Sequence, residues 1–347
     1  MSREGDLAVE SLKTALSMGE QSVHNIKIRG TLKPPPKTYD TDRVLTKHVI
    51  VHRGTEGFAD RLQVLSNCIE YALLNDAYLC VDWRDPWWQC GFDRYFDLSV
   101  VQMISVDQVA EMIDLGASVY PPHTADELLA PLTRENAHTK RFYLGNILLK
   151  RDYDIVINSG STDRGIYGKG IEDLLSFKHS VALELKTVIK QLVVPYICVH
   201  LRGSDRSYGK SLDDQLFPVV KHLRKRDGSR RVYVIGDDIA LKDRLRETIG
   251  ILSIDHINYA KYTHDYQVDK LREVYMGSHC KPVDQEIKHR LNIDTLLDFC
   301  IMAMAADAYS TCSKSYFFQM SRMLRGTPIY KLFRSLSTNT PETQSER

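Results

Sequence analysis

The sequence predicts an α/β protein of two lobes, each built on a parallel sheet, and three observations carry that reading. Strand-like and helix-like segments alternate: VIVHR, a glycine loop, a helical stripe and AYLCVDW come first, and PYICVH, RVYVIGDD, a helix and ILSIDHI follow later. Strand, loop, helix, strand is the start of a parallel sheet, because parallel neighbours need a crossover connection. The two series are separated by a helical segment near Leu183 to Leu192, so the lobes should meet near residue 190. The chain has 347 residues, more than one small core accommodates.

Residues 1–45 hold one possible helix and then Lys33-Pro34-Pro35-Pro36-Lys37, where proline forbids helix and favours an extended spacer. This stretch reads as an arm or linker. In the first lobe, residues 46–190, Leu62, Leu65, Ile69, Ala72 and Leu73 form one apolar helical stripe after GTEGFAD. In the second lobe, residues 191–335, DFCIMAMAA (298–306) reads as a buried helix. AYSTCSKS then leads to a last core helix, YFFQMSRML. The tail, residues 336–347, has too little apolar surface to fold alone.

Composition narrows the function. With 43% apolar and 26% charged residues the chain is ordinary globular protein. Lys plus Arg number 46 against 45 for Asp plus Glu, so there is no overall positive field to hold a nucleic acid, and none is expected as a partner. The N-terminus lacks the continuous apolar core of a signal peptide, and nowhere do eighteen apolar residues run together, so no membrane span and a cytoplasmic location are expected. The seven cysteines include no CxxC pair and read as reduced thiols, mostly in the core.

The strongest chemical signal is YICVHLRGSDR, an apolar strand that ends directly in His200, Arg202, Asp205 and Arg206. Ligands of doubly wound sheets bind beyond the carboxyl ends of strands, and an arginine there is a fork for phosphate oxygens. His200 is placed to bond a base or a phosphate, and Asp205 to hold Arg202 or Arg206. A strand-end ion pair with a satisfied histidine is the plain alternative. In AYSTCSKSYFF, Ser313, Lys314 and Ser315 precede a helix whose free N–H groups and positive dipole end suit a diphosphate. One serine merely capping the helix is the simpler reading of that segment.

Gly54 and Gly57 allow close backbone approach to a ligand, or simply a tight turn. Asp237-Asp238 reads as a helix cap in preference to a divalent-cation site, because no further oxygen ligands accompany it. Asp82, Trp83, Arg84, Trp87 and Trp88 form an aromatic, charged loop after a strand, suited to stacking an acceptor sugar or to packing between lobes.

Taken together, GFADRLQVLSNCIEYALLNDAYLCVDWRDPWW, VHLRGSDR, VYVIGDD and ADAYSTCSKS resemble, in order across roughly residues 47 to 330, the motifs of the metal-independent fucosyltransferases. That superfamily includes nodulation, N-glycan-core α1,6- and protein O-fucosyltransferases. The resemblance implies a GT-B-like fold: two Rossmann-like lobes with a cleft between them, GDP held mainly by the second, and the acceptor approaching from the first. It implies GDP-fucose as donor, a glycan or glycoconjugate hydroxyl as acceptor, and no metal or other cofactor. His200 and Arg202 would then contact guanosine and diphosphate, Ser313 the diphosphate, and Asp298 the guanine or ribose, with Asp294 as its rival; Asp237 lies in the second motif. Arg202 is followed by Gly203 where the core fucosyltransferases have a second arginine, so Arg206 becomes the candidate replacement. Lys210 stands near the place of the proposed base, with Asp213 and Asp214 just beyond. A metal-dependent transferase using Asp237 and Asp238, a transferase with another donor such as GDP-mannose, and a non-catalytic nucleotide or glycan binder are the competing readings.

Overall fold

The computed structural model describes residues 48–54, 57–85, 88–98, 101–130, 152–159, 175–202, 211–225, 230–236, 239–249, 257–259 and 285–323. The proposed arm and tail lie outside them. The first sheet is formed by β1 (Val49–Arg53), β2 (Tyr78–Asp82), β4 (Val119–Tyr120) and β5 (Ile155–Asn158), all parallel in the order β2-β1-β5-β4. Its helices are α1 (Phe58–Asn75), α2 (Val106–Asp114) and α3 (Ala125–Leu129). Two short strands, β3 (Phe96–Leu98) and β6 (Leu175–Phe177), pair antiparallel beside it, and α4 (His179–Ile189) leads out of this lobe.

The second sheet contains β7 (Tyr196–Leu201), β8 (Arg231–Gly236), β9 (Ile257–Tyr259) and β10 (Asp307–Ser310), again parallel, in the order β10-β7-β8-β9. Helices α5 (Leu212–Arg224), α6 (Ile239–Ile249), α7 (Gln285–Met304) and α8 (Tyr316–Met323) surround it. Two parallel-sheet α/β lobes are what the sequence predicts.

Both faces of β7 are buried, as a strand inside a parallel sheet requires. The side-chain period of two then sorts them. Ile197, Val199 and Leu201 face α5 and α6, packing on Leu216, Val219, Leu241 and Leu245. Tyr196 and Cys198 face a larger core that includes Ile50, Leu62 and Leu65 of the first lobe and Leu296, Phe299 and Met320 of α7 and α8. The two lobes therefore share one hydrophobic core. Cys68, Cys80, Cys90, Cys198 and Cys300 are buried thiols, Cys312 is partly buried, and Cys280 lies outside the described residues. Among the described residues no helix is long and apolar enough to cross a membrane.

Gly236, at the carboxyl end of β8, sits opposite Leu201. Its φ of +121° is rarely open to other residues, and a Cβ there would lie 2.0 Å from the Leu201 carbonyl oxygen. Gly236→Ala is expected to lose at least about 2 kcal/mol of stability from backbone strain and the clash. Urea unfolding checks this, and an unchanged midpoint would refute the close approach.

Candidate functional site

The carboxyl ends of β7, β8 and β10 form one edge, where His200, Arg202, Gly236 and residues 310–315 meet. β10 pairs with β7 so that Ser310 lies opposite His200. The Ser310 Oγ is 2.9 Å from His200 Nδ1 and 3.1 Å from the Cys312 N–H, which donates to it. The Arg202 N–H donates to Thr311 Oγ1 at 2.9 Å, and the Thr311 N–H to the His200 carbonyl at 3.1 Å. These bonds lock the loop before α8 onto the end of β7, which is how segments over a hundred residues apart become one site.

His200 is 5% exposed, with its ring tilted against Phe317 and parallel to Phe318. Burial, with the charges of Arg202 and Lys242 adding to it, pushes its pKa down to about 3. His200 is therefore neutral at ordinary pH and bonds as a neutral ring. Ser310 has a single hydroxyl proton; with that proton on the Cys312 carbonyl at 3.1 Å, His200 donates through Nδ1 and keeps Nε2 as an acceptor. In that tautomer Nε2 suits a ligand hydroxyl or N–H, and repels a phosphate oxygen.

Lys242, on the first turns of α6, is a cation the sequence reading missed. It is buried, although its neighbours Leu241 and Leu245 are the ones that face the sheet. In the sequence it looks like one of many solvated lysines; only the Leu241–Leu245 spacing hints that this side of the helix is covered. Asp298, on α7, accepts the Gly236 N–H at 3.3 Å, which puts its carboxylate at the end of β8. Asp294, one turn earlier, is buried. Ser313 and Lys314 are exposed, whereas Ser315 is buried and its Oγ takes no hydrogen bond among the described residues.

The other sequence candidates are used differently. Asp205, Arg206, Asp237 and Trp87 lie outside the described residues. Asp213 and Asp214 are exposed in the first turn of α5. Arg244 forks onto both oxygens of Asp213 at 2.8 and 3.0 Å and lowers its pKa, which makes it a weaker proton acceptor. Asp214 accepts the Ser211 hydroxyl at 2.7 Å while Ser211 caps the helix. Both carboxylates are exposed, Asp213 with its partner Arg244 on α6 and Asp214 with its partner Ser211 at the start of its own helix.

In the first lobe, Trp83 and Trp88 are 0% and 1% exposed, so neither presents a face to an acceptor sugar, and packing is the reading the structure supports. Arg61 lies over both rings and pairs with Asp85 at 2.7 Å, all within the core. A Cβ on Gly54 would come within 2.2 Å of Arg61 Nη1 and 2.8 Å of the Trp83 ring, so the protein itself, and not a ligand, occupies the space this glycine leaves. Gly57 is the extended N-cap of α1. Asp82 is held by Arg84 at 2.9 Å and lies 3.7 Å from Arg53, which in turn donates to the Leu128 and Ala130 carbonyls at the end of α3. Among the described residues from Asp82 to Trp88, Arg84 is the exposed one.

No protein-family profile matches the sequence. No curated protein of similar sequence matches either. Comparison with solved structures does better. The Bradyrhizobium fucosyltransferase NodZ, in its selenomethionine form, superposes with a TM-score of 0.55 at 14% identity, over 80% of this chain and 92% of its own. NodZ α-1,6-fucosyltransferase co-crystallised with GDP gives 0.54 at 14% identity, over 80% and 93%. The fold is shared. It is the GT-B-like architecture that the motif order implies. POFUT1 in complex with GDP, at TM-score 0.46 and 12% identity over 81% of this chain and 96% of its own, is too loose a likeness to add to this.

Two measurements probe the buried charges. Asp85→Ala strands the Arg61 guanidinium in the core and is expected to cost about 3 to 5 kcal/mol in urea unfolding; a loss under about 1 kcal/mol would contradict the pairing. His200 takes up its proton at about 3 when folded but near its ordinary 6.5 when unfolded. Between those values the unfolded chain binds the extra proton, so stability is full above pH 6.5 and falls on acidification. The expected slope from this group is about 1.4 kcal/mol per pH unit. His200→Gln should flatten the dependence of unfolding free energy on pH between about 6 and 4.5 by that amount, and an unaltered slope would show that His200 is not held neutral.

Proposed function

We propose that the protein is an inverting glycosyltransferase that transfers fucose from GDP-fucose to a hydroxyl of a glycan or glycoconjugate, without a metal ion. The observation that carries this reading is the convergence of His200, Arg202 and the start of α8 at the carboxyl edge of the second sheet. It occurs in a fold shared with a fucosyltransferase crystallised with GDP. Arg202 offers a fork to the diphosphate, and the first turn of α8 offers the outward-directed backbone N–H groups and positive dipole end of a helix start. Ser315, at that helix start, has a buried hydroxyl to contribute. Asp298 and neutral His200 stand nearby with acceptor atoms, suited to the N–H and O–H groups of the nucleoside.

In the reaction the acceptor oxygen bonds to the anomeric carbon from the side opposite GDP. The bond from that carbon to the diphosphate oxygen breaks, and its electron pair leaves with GDP. The acceptor hydroxyl loses its proton to a base, for which Asp205, three residues after Arg202, and the exposed Asp213 and Asp214 are the candidates; the fork from Arg244 makes Asp213 the weaker acceptor. Charge develops chiefly on the leaving diphosphate, where Arg202 and the helix start act without needing to release a proton.

Arg202→Ala is expected to lower transfer by about a hundredfold to a thousandfold with the melting temperature nearly unchanged. Thermal-shift measurement with GDP, GDP-fucose, GDP-mannose and UDP-sugars reads the donor directly, because ligands that bind only the folded state raise its stability. Stabilisation by UDP-sugars and none by GDP would refute the fucosyl assignment. Activity abolished by chelator would favour a cation at Asp237 and Asp238, and GDP binding with no transfer to any acceptor would make the protein a binding module.

A further inference from the structure

The start of α8 is tied to the first lobe by a buried polar contact. Tyr316, its first residue, donates its hydroxyl to Gln63 Oε1 on α1 at 2.5 Å. Tyr316 is 5% exposed and Gln63 1%. The Gln63 amide is itself oriented, since its Nε2 donates to Asn67 Oδ1, one turn further along α1, at 3.3 Å. With the nitrogen committed to Asn67, the oxygen faces Tyr316.

We propose that the Tyr316–Gln63 hydrogen bond is a positioning contact: it holds the first turn of α8 in place for the donor diphosphate and so makes donor affinity depend on the first lobe. The inference rests on the reading of α8 as the diphosphate site. Ser315, whose buried hydroxyl has no hydrogen-bond partner among the described residues, directly precedes Tyr316, so any shift of the Tyr316 ring moves both that hydroxyl and the N–H groups of the first turn. α1 begins at Phe58, just after the glycine loop, and its first residue contributes a second link. Phe58 meets Phe299 edge-on at 5.2 Å, and Phe299 meets Phe317 at 5.3 Å. Those rings supply packing, which tolerates small slides. The hydrogen bond supplies direction, because its strength falls steeply with distance and angle. Tyr316 is thus a positioning residue rather than a catalytic one.

The test is Tyr316→Phe, with GDP and guanosine affinities measured by calorimetry at a temperature where parent and variant are both folded. Tyr196→Phe is the control: it removes an equally buried hydroxyl, bonded to the Ile301 carbonyl at 2.7 Å, from the opposite end of β7. Tyr316→Phe is expected to weaken GDP by at least about fivefold while guanosine is little changed. Tyr196→Phe should lose stability but keep GDP affinity within about twofold. If Tyr316→Phe loses stability and keeps the parental GDP affinity, the contact is structural only and the proposal fails. Equal weakening of GDP and guanosine also overturns it, since the diphosphate would not be what the bond positions. Should Tyr316→Phe not fold, Gln63→Met breaks the same bond from the first lobe and must show the same GDP-selective loss, or the proposal falls. A parental protein that binds no GDP would instead sink the donor assignment itself.

Discussion

The parallel pairing of β7 with β10 on one side and β8 on the other is the constraint from which the candidate site hangs. Parallel register sends every strand's carboxyl end to the same edge, so the residues that follow each strand are delivered together. His200 comes to lie opposite Ser310, and Leu201 opposite Gly236. A slip of one residue against β10 would take Ser310 away from His200, and a slip against β8 would bring a side chain to the Leu201 carbonyl. The close approach at Gly236 and the bonds between Thr311 and the carboxyl end of β7 hold that register from both sides.

β7 also divides the second lobe into two cores. One face packs on α5 and α6, and the other joins a core continuous with the first lobe. His200 belongs to the inner face, which explains its burial and its lowered pKa. It explains, too, why its environment is aromatic: Phe317 and Phe318 come from the same helix whose start forms the proposed phosphate site. Electrostatics at this edge are therefore built by residues from four elements, with Arg202 after β7, Lys242 on α6, Asp298 on α7 and the backbone of α8.

The first lobe spends its charged residues differently. Arg61 and Asp85 form a pair enclosed by Trp83 and Trp88, and Asp82 serves Arg84 and Arg53. A buried pair of this kind contributes less to net stability than its Coulomb energy suggests, because both ions lose their hydration; breaking it is what is costly. Among its described residues, the loop that reads in sequence as a sugar platform packs Trp83 and Trp88 into the core and leaves Arg84 exposed.

By itself the sequence determined the two parallel-sheet lobes, since alternating strand and helix periodicity and buried apolar runs are local patterns. It also marked the strand end at His200 and Arg202 and the serine-led start of α8, because charged residues directly after an apolar strand, and small polar residues directly before a helix, are local too. Which side of each strand faces which helix was decided only by the tertiary structure. So were the enclosure of Trp83 and Trp88, the engagement of Asp213 by Arg244, the burial of Lys242 and the bond from Tyr316 to Gln63. Each depends on partners far away in the chain, and an aromatic, a carboxylate or a lysine carries no local sign of whether its partner will be water, a ligand or another side chain.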